Sequence, residues 1–126
     1  MNVTTIASFR VLEVPATGAP VGAERDALDL MGETYGQEID LILVPASRLH
    51  PDFLKLATGM AGGFLQKMQN YGFRVAVVGD ISAGVAASKA LRDFVYESNK
   101  VGRMLFVADR EELERRLEQQ REPAGR

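Results

Sequence analysis

Three apolar runs, interrupted only by Arg74, constrain this chain more than any other feature. They are Leu41-Ile42-Leu43-Val44, closed by Pro45; residues 73–78, closed by Gly79-Asp80; and residues 104–108, closed by Asp109. A strand with one wet face alternates apolar and polar residues, whereas an unalternating strand is covered on both faces, as in a parallel sheet. Helical spacing fills the intervals at residues 51–71 and 85–99. A last helix starts after Asp109, which stands as N-cap with Glu112 three residues on, the capping-box spacing. Strands alternating with helices across short links predict an α/β domain with a mainly parallel central sheet and right-handed crossovers.

The remaining segments fit around that frame. Residues 2–14 are β-branched and apolar, without Gly or Pro. Val3 and Ile6 suit one short strand and Phe9, Val11 and Leu12 another, with Ala7-Ser8 as a tight link; one long bulged strand is the alternative. Residues 15–20 hold two prolines and Gly18 and read as a loop. From Ala23 a helix is expected with Ala27, Leu28, Met31 and Tyr35 on its inner face, early acids at Glu24, Asp26 and Asp29, and Gly36 at its end. Leu113 and Leu117 form the seam of the last helix. The expectation is one domain over residues 1–121 with about four helices, and a flexible tail at 122–126.

Composition removes several functions. The 126 residues carry a net charge of −2 with the basic residues scattered, so no nucleic-acid face is expected. There is no cysteine and only one histidine, His50. That excludes disulfides, thiolate chemistry and multi-histidine zinc centres, and no metal or cofactor is expected. No apolar run approaches the ~20 residues of a membrane span, and no signal pattern follows Met1. The chain reads as a cytoplasmic domain without a membrane partner.

Several segments together resemble one bacterial family. They are Asp26-Ala27-Leu28-Asp29-Leu30-Met31, the run from Asp52 through Thr58-Gly59-Met60-Ala61-Gly62 to Leu65-Gln66-Lys67, Asn70-Tyr71, Ala76-Val77-Val78-Gly79-Asp80, and residues 88–99. The family is domain of unknown function 4180, and the likeness runs from about Leu12 to Leu117. It implies membership and transfers no activity. Three departures stand out: Ala57 where a basic residue is expected, Gly63 where an acid is expected, and a link one residue longer after Ser98-Asn99. A charge pair working at 57 and 63 would be lost here. The order of elements is also similar to the anti-sigma-factor antagonist (STAS) fold. Its phosphorylated hydroxyl has no counterpart in residues 50–55, because Ser47 lies too early and Thr58 too late.

Candidate site residues gather where strands end, since ligands of open parallel sheets sit beyond the carboxyl edge. Ser47, Arg48, His50 and Asp52 belong to one loop, Asp80 and Ser82 to a second, Asp109 to a third. Asp80 reads first as an Asx cap of the turn that follows it, and otherwise as a ligand contact. Ser47, His50 and Asp52 do not make a triad, being too close in one loop and without a nucleophile elbow. No catalytic residue is assigned. On the 85–99 helix, Leu91, Phe94, Val95 and Ser98 face inward, leaving Arg92, Asp93, Tyr96 and Glu97 outward. With Asn99 at the helix end, these form either a solvated face or an interaction surface.

Thr58-Gly59-Met60-Ala61-Gly62-Gly63 lacks the Lys-Ser/Thr ending of a phosphate loop. The stripe Phe53, Leu56, Met60, Phe64 and Met68 keeps helical spacing across it, so a continuous helix is expected. Gly59, Gly62 and Gly63 would then mark a close-packing face, against a helix of the same chain or a homodimer mate. Two functions follow: a non-enzymatic regulatory or protein-interaction module, and a small polar ligand-binding or enzymatic domain. A pocket with convergent polar groups would favour the second.

Overall fold

In the computed structural model the backbone is described over residues 1–124 and side chains over residues 1–120. The tail expected at 122–126 falls at and beyond that limit. Strands β1 (Asn2–Ile6) and β2 (Phe9–Glu13) form an antiparallel hairpin. Its link is Ala7-Ser8, with φ of 51° and 73°. Two consecutive positive φ values give a type I′ turn, whose twist matches that of the strands, so the hairpin replaces the bulged-strand alternative.

Helix α1 (Glu24–Glu33) follows, then β3 (Leu41–Pro45), α2 (Met60–Asn70), β4 (Arg74–Val78), α3 (Ser82–Ala87), α4 (Lys89–Val101), β5 (Met104–Val107) and α5 (Arg110–Ala124). Five α-helices thus stand where about four are expected. The sheet order is β1-β2-β3-β4-β5, and every pair after the first is parallel. All three apolar runs are strands, and β3 and β5 each bury at least four successive residues.

The sequential strand order decides where the helices lie. Right-handed crossovers that always step in one direction place their helices on one face of the sheet. Ala27, Leu30, Ala61, Phe64 and Met68 accordingly join Leu12, Ile42, Val75 and Phe106 in one core. The other face is left to α5, which follows the last strand; Leu113 and Leu117 cover Val11, Leu43, Ala76 and Leu105.

Three element expectations need correction. Residues 51–71 are not one helix: a turn and a 3₁₀ segment (Leu56–Thr58) precede Gly59, whose φ of 76° is left-handed, and α2 starts only at Met60. The Thr58 hydroxyl accepts from the Met60 N–H at 3.2 Å and lies 2.8 Å from the Lys55 carbonyl. Phe53 is fully buried from the turn, so the apolar spacing is met without helix. The 85–99 helix is likewise divided at Ser88, an extended residue whose hydroxyl accepts from Leu91 N–H at 3.1 Å and starts α4. Helix α4 runs past Asn99 and ends at Gly102, φ 90°. On α1 the inner face is Ala27, Leu30 and the buried Thr34; Leu28 and Tyr35 point outward, Tyr35 at 91% exposure. Asp26 anchors that helix, accepting from the Gly22 and Ala23 N–H groups at 2.9 Å each.

Candidate functional site

Two adjoining concavities lie at and beside the carboxyl ends of β3 and β4. Strand β4 ends in Gly79, where φ is 145° and a Cβ would stand 2.7 Å from the Ala46 Cβ. Only glycine lets the chain leave the sheet so close to the start of the loop after β3. Asp80 then turns the chain into α3. Its Oδ1 accepts from the Ser82 N–H at 2.9 Å. Hydrogen bonding from Ser82, side chain first and backbone second, holds the carboxyl below the usual carboxylate range. This is the Asx-cap geometry.

The neighbouring polar residues are used in the same way. Arg48 donates Nε–H to the Ala19 carbonyl at 2.9 Å, and Nη1–H to those of Pro15 and Thr17 at 2.8 and 3.0 Å. The guanidinium ties down the 15–20 loop and lies where a side chain on Gly18 would begin. The Ser47 hydroxyl donates to the Ala16 carbonyl at 3.2 Å. His50 Nδ1 accepts from the Asp52 N–H at 3.0 Å, while the Asp52 carboxylate pairs with Lys55 at 3.5 Å. Asp109 Oδ1 accepts from the Glu112 N–H at 2.9 Å, and Glu112 returns a bond to Ala108 N–H at 2.8 Å rather than to the cap itself. The loops bring these side chains to one edge, where Asp80, His50 and Asp109 cap their own turns and Ser47 and Arg48 tie the neighbouring 15–20 loop.

What the edge leaves open is apolar. A groove of about 520 Å³ runs between the 51–58 turn and the α3–α4 junction, with Leu54, Leu56, Ala57, Ala87, Ala90 and Leu91 in its walls. It adjoins a second hollow of about 470 Å³ through Leu54 and Gly84, and Asp80 and Ser47 are part of the lining of that one. Sequence reasoning by chemistry-bearing residues passes over the groove. The signal for it was the stretch from Ile81 to Ser88, eight residues without a charge in a segment half open to water. Ala57 is one of its exposed walls.

The other candidates lie elsewhere. Arg92, Asp93, Tyr96 and Glu97 are exposed on α4, Tyr96 at 66%, and Asp93 pairs with Lys89 at 2.8 Å. Asn99 turns away from them. Its Nδ2 donates to the Phe106 carbonyl at 3.1 Å and its Oδ1 accepts from the Phe106 N–H at 2.7 Å, a two-point clamp on the edge strand β5. By these bonds Arg48 ties two loops together and Asn99 braces β5.

The three glycines differ in what surrounds them within the chain. Among the described residues, nothing comes within 4 Å of a Cβ built on Gly59 or Gly62, so no helix of the same chain packs closely there. Gly63 does have a neighbour, the Glu24 carboxylate at 3.0 Å, which crosses that space to Lys67 at 3.6 Å. Among the described residues no three carboxylate or imidazole groups cluster as a metal site would require, and no helix is long and apolar enough to cross a membrane.

Neither the curated proteins nor the solved structures contain a significant match to this chain. One family model does match, over residues 6–117, a span from the end of β1 to the buried Leu117 that takes in the whole parallel sheet. On that match the chain belongs to the family described as domain of unknown function (DUF4180).

Proposed function

We propose that this domain is a non-enzymatic regulatory or protein-interaction module, STAS-like in its order of elements, bacterial and cytoplasmic. It works by docking an apolar segment of another protein or of a second copy. The observation that carries the reading is the groove beside Leu54, Ala57, Ala87 and Ala90: it is mainly apolar, and its two polar lining residues are already engaged, Lys55 with Asp52 and the Ser88 hydroxyl with the Leu91 N–H. Ligand pockets combine an enclosing shape with a few polar groups aimed inward. Here the polar groups at the edge are engaged with backbone groups of the surrounding loops. The topology supports the same reading, because small-ligand crevices in open parallel sheets form where strand order reverses, and this order never reverses.

A photo-crosslinking residue placed at Ala87 tests the proposal in cells. The expected result is a discrete protein adduct that disappears when Ala57→Glu is added, followed by direct binding of the purified adduct partner. A low-molecular-weight compound retained in native mass spectrometry and released by Asp80→Asn would instead favour a small polar ligand.

A further inference from the structure

The two edges of the sheet are treated differently. At β5 the outward N–H and C=O of Phe106 are both taken by Asn99, and the next outward N–H, that of Ala108, is taken by Glu112. Those bonds block strand pairing at Phe106 and Ala108. At β1 the outward groups belong to Val3 and Thr5. Arg10 donates and accepts toward Asp40, and Val14 N–H toward Leu43, so even-numbered β2 residues face β3 and odd-numbered ones face β1. In the hairpin register those odd residues meet Asn2, Thr4 and Ile6, which leaves Val3 and Thr5 facing away from the sheet. Among the described residues no hydrogen bond reaches them.

Proteins that keep an edge strand monomeric place Lys, Pro or a bulge on it. Strand β1, Asn-Val-Thr-Thr-Ile, has none of these and no charge. We infer that β1 is a self-pairing edge, and that two copies of this chain join antiparallel through it into one continuous ten-stranded sheet. The occupant is a second copy because the edge is its own complement. With a two-fold axis at Thr4, each Val3 N–H meets the carbonyl of the partner's Thr5, and each Thr5 N–H that of the partner's Val3. This isologous arrangement satisfies all four outward groups on each side. Uncharged side chains on both copies leave nothing to repel. The inference goes beyond the groove reading above and places self-association at β1 in place of the glycine face expected from the sequence.

Hydrogen exchange and sedimentation on the same samples test it. As wild-type concentration rises from micromolar to several hundred micromolar, a dimer should appear. Val3 and Thr5 amide exchange should slow several-fold in step, while Phe106, already bonded, should not change. Thr5→Pro removes one outward donor that the fold does not use, a place where edge strands accept proline. It should weaken the dimer by on the order of tenfold or more. Should that variant fail to fold, the wild-type exchange data decide alone. Fast exchange at Val3 and Thr5 in a wild-type dimer overturns the edge pairing and leaves self-association elsewhere; a monomer at every concentration overturns both. An undiminished Thr5→Pro dimer also contradicts the edge pairing.

Discussion

Most of the polar side chains at the carboxyl edge carry out local backbone work, and Asp80 shows how this can be measured. Asp80→Asn keeps an acceptor for the Ser82 N–H, so the fold should survive with little loss at neutral pH. The pH dependence gives the sign. The folded carboxyl sits below its unfolded value, so its contribution is present above the ordinary carboxylate range. It is lost as pH falls through the lowered value. The stability difference between wild type and Asp80→Asn should therefore shrink on acidification, as chemical unfolding at a series of pH values would show. Glycine gives a second residue-level test. Gly62 lies in the first turn of α2 with open space around it, so Gly62→Ala should raise stability, by up to about 1 kcal/mol. A loss in thermal or urea unfolding would mean that something packs there after all. At Gly79 the positive φ and the 2.7 Å approach to Ala46 make the same change destabilising.

Elements explain what the sequence showed and what it hid. Three of the four parallel strands, β3 to β5, were legible because burial on both faces leaves no alternation, and that signal needs no tertiary information. The helices were misjudged where apolar spacing outlived the helix itself. Phe53 to Met68 looked continuous, yet Gly59 sits at a left-handed φ and Ser88 caps a new start, and neither break changes the apolar period. The site was less legible still. Arg48 and Asn99 are chemically rich residues whose partners, the loop carbonyls and Phe106, lie 29 to 33 and seven residues away. Spacing alone cannot report such pairings. The Asn99 clamp carries its own prediction: Asn99→Ala leaves both Phe106 backbone groups without their partner and should cost about 1–3 kcal/mol in urea unfolding. It should also raise the exchange rate of the Phe106 amide. An unchanged rate would show that another group closes the β5 edge.

At the scale of the molecule, one topological fact links fold to function. A sheet whose strands follow in sequence order gathers its crossover helices on one face and leaves the other to α5. It creates no reversal point at which helices from opposite faces part to admit a ligand. The working surface must then be built from loops and helix starts, and here these are lined by alanine and leucine. The central claim is that this apolar groove, and not the polar edge beside it, is the binding surface. Nuclear magnetic resonance titration with paired probes tests this most directly: phenol as an apolar probe, and guanidinium, acetate and phosphate as polar ones. The account predicts saturable phenol shifts at Ala57, Ala87 and Ala90 and only weak, non-saturating effects of the ions at Ser47, Asp80 and Ser82. Saturable binding of an ion at Asp80, with the groove indifferent to phenol, would contradict it.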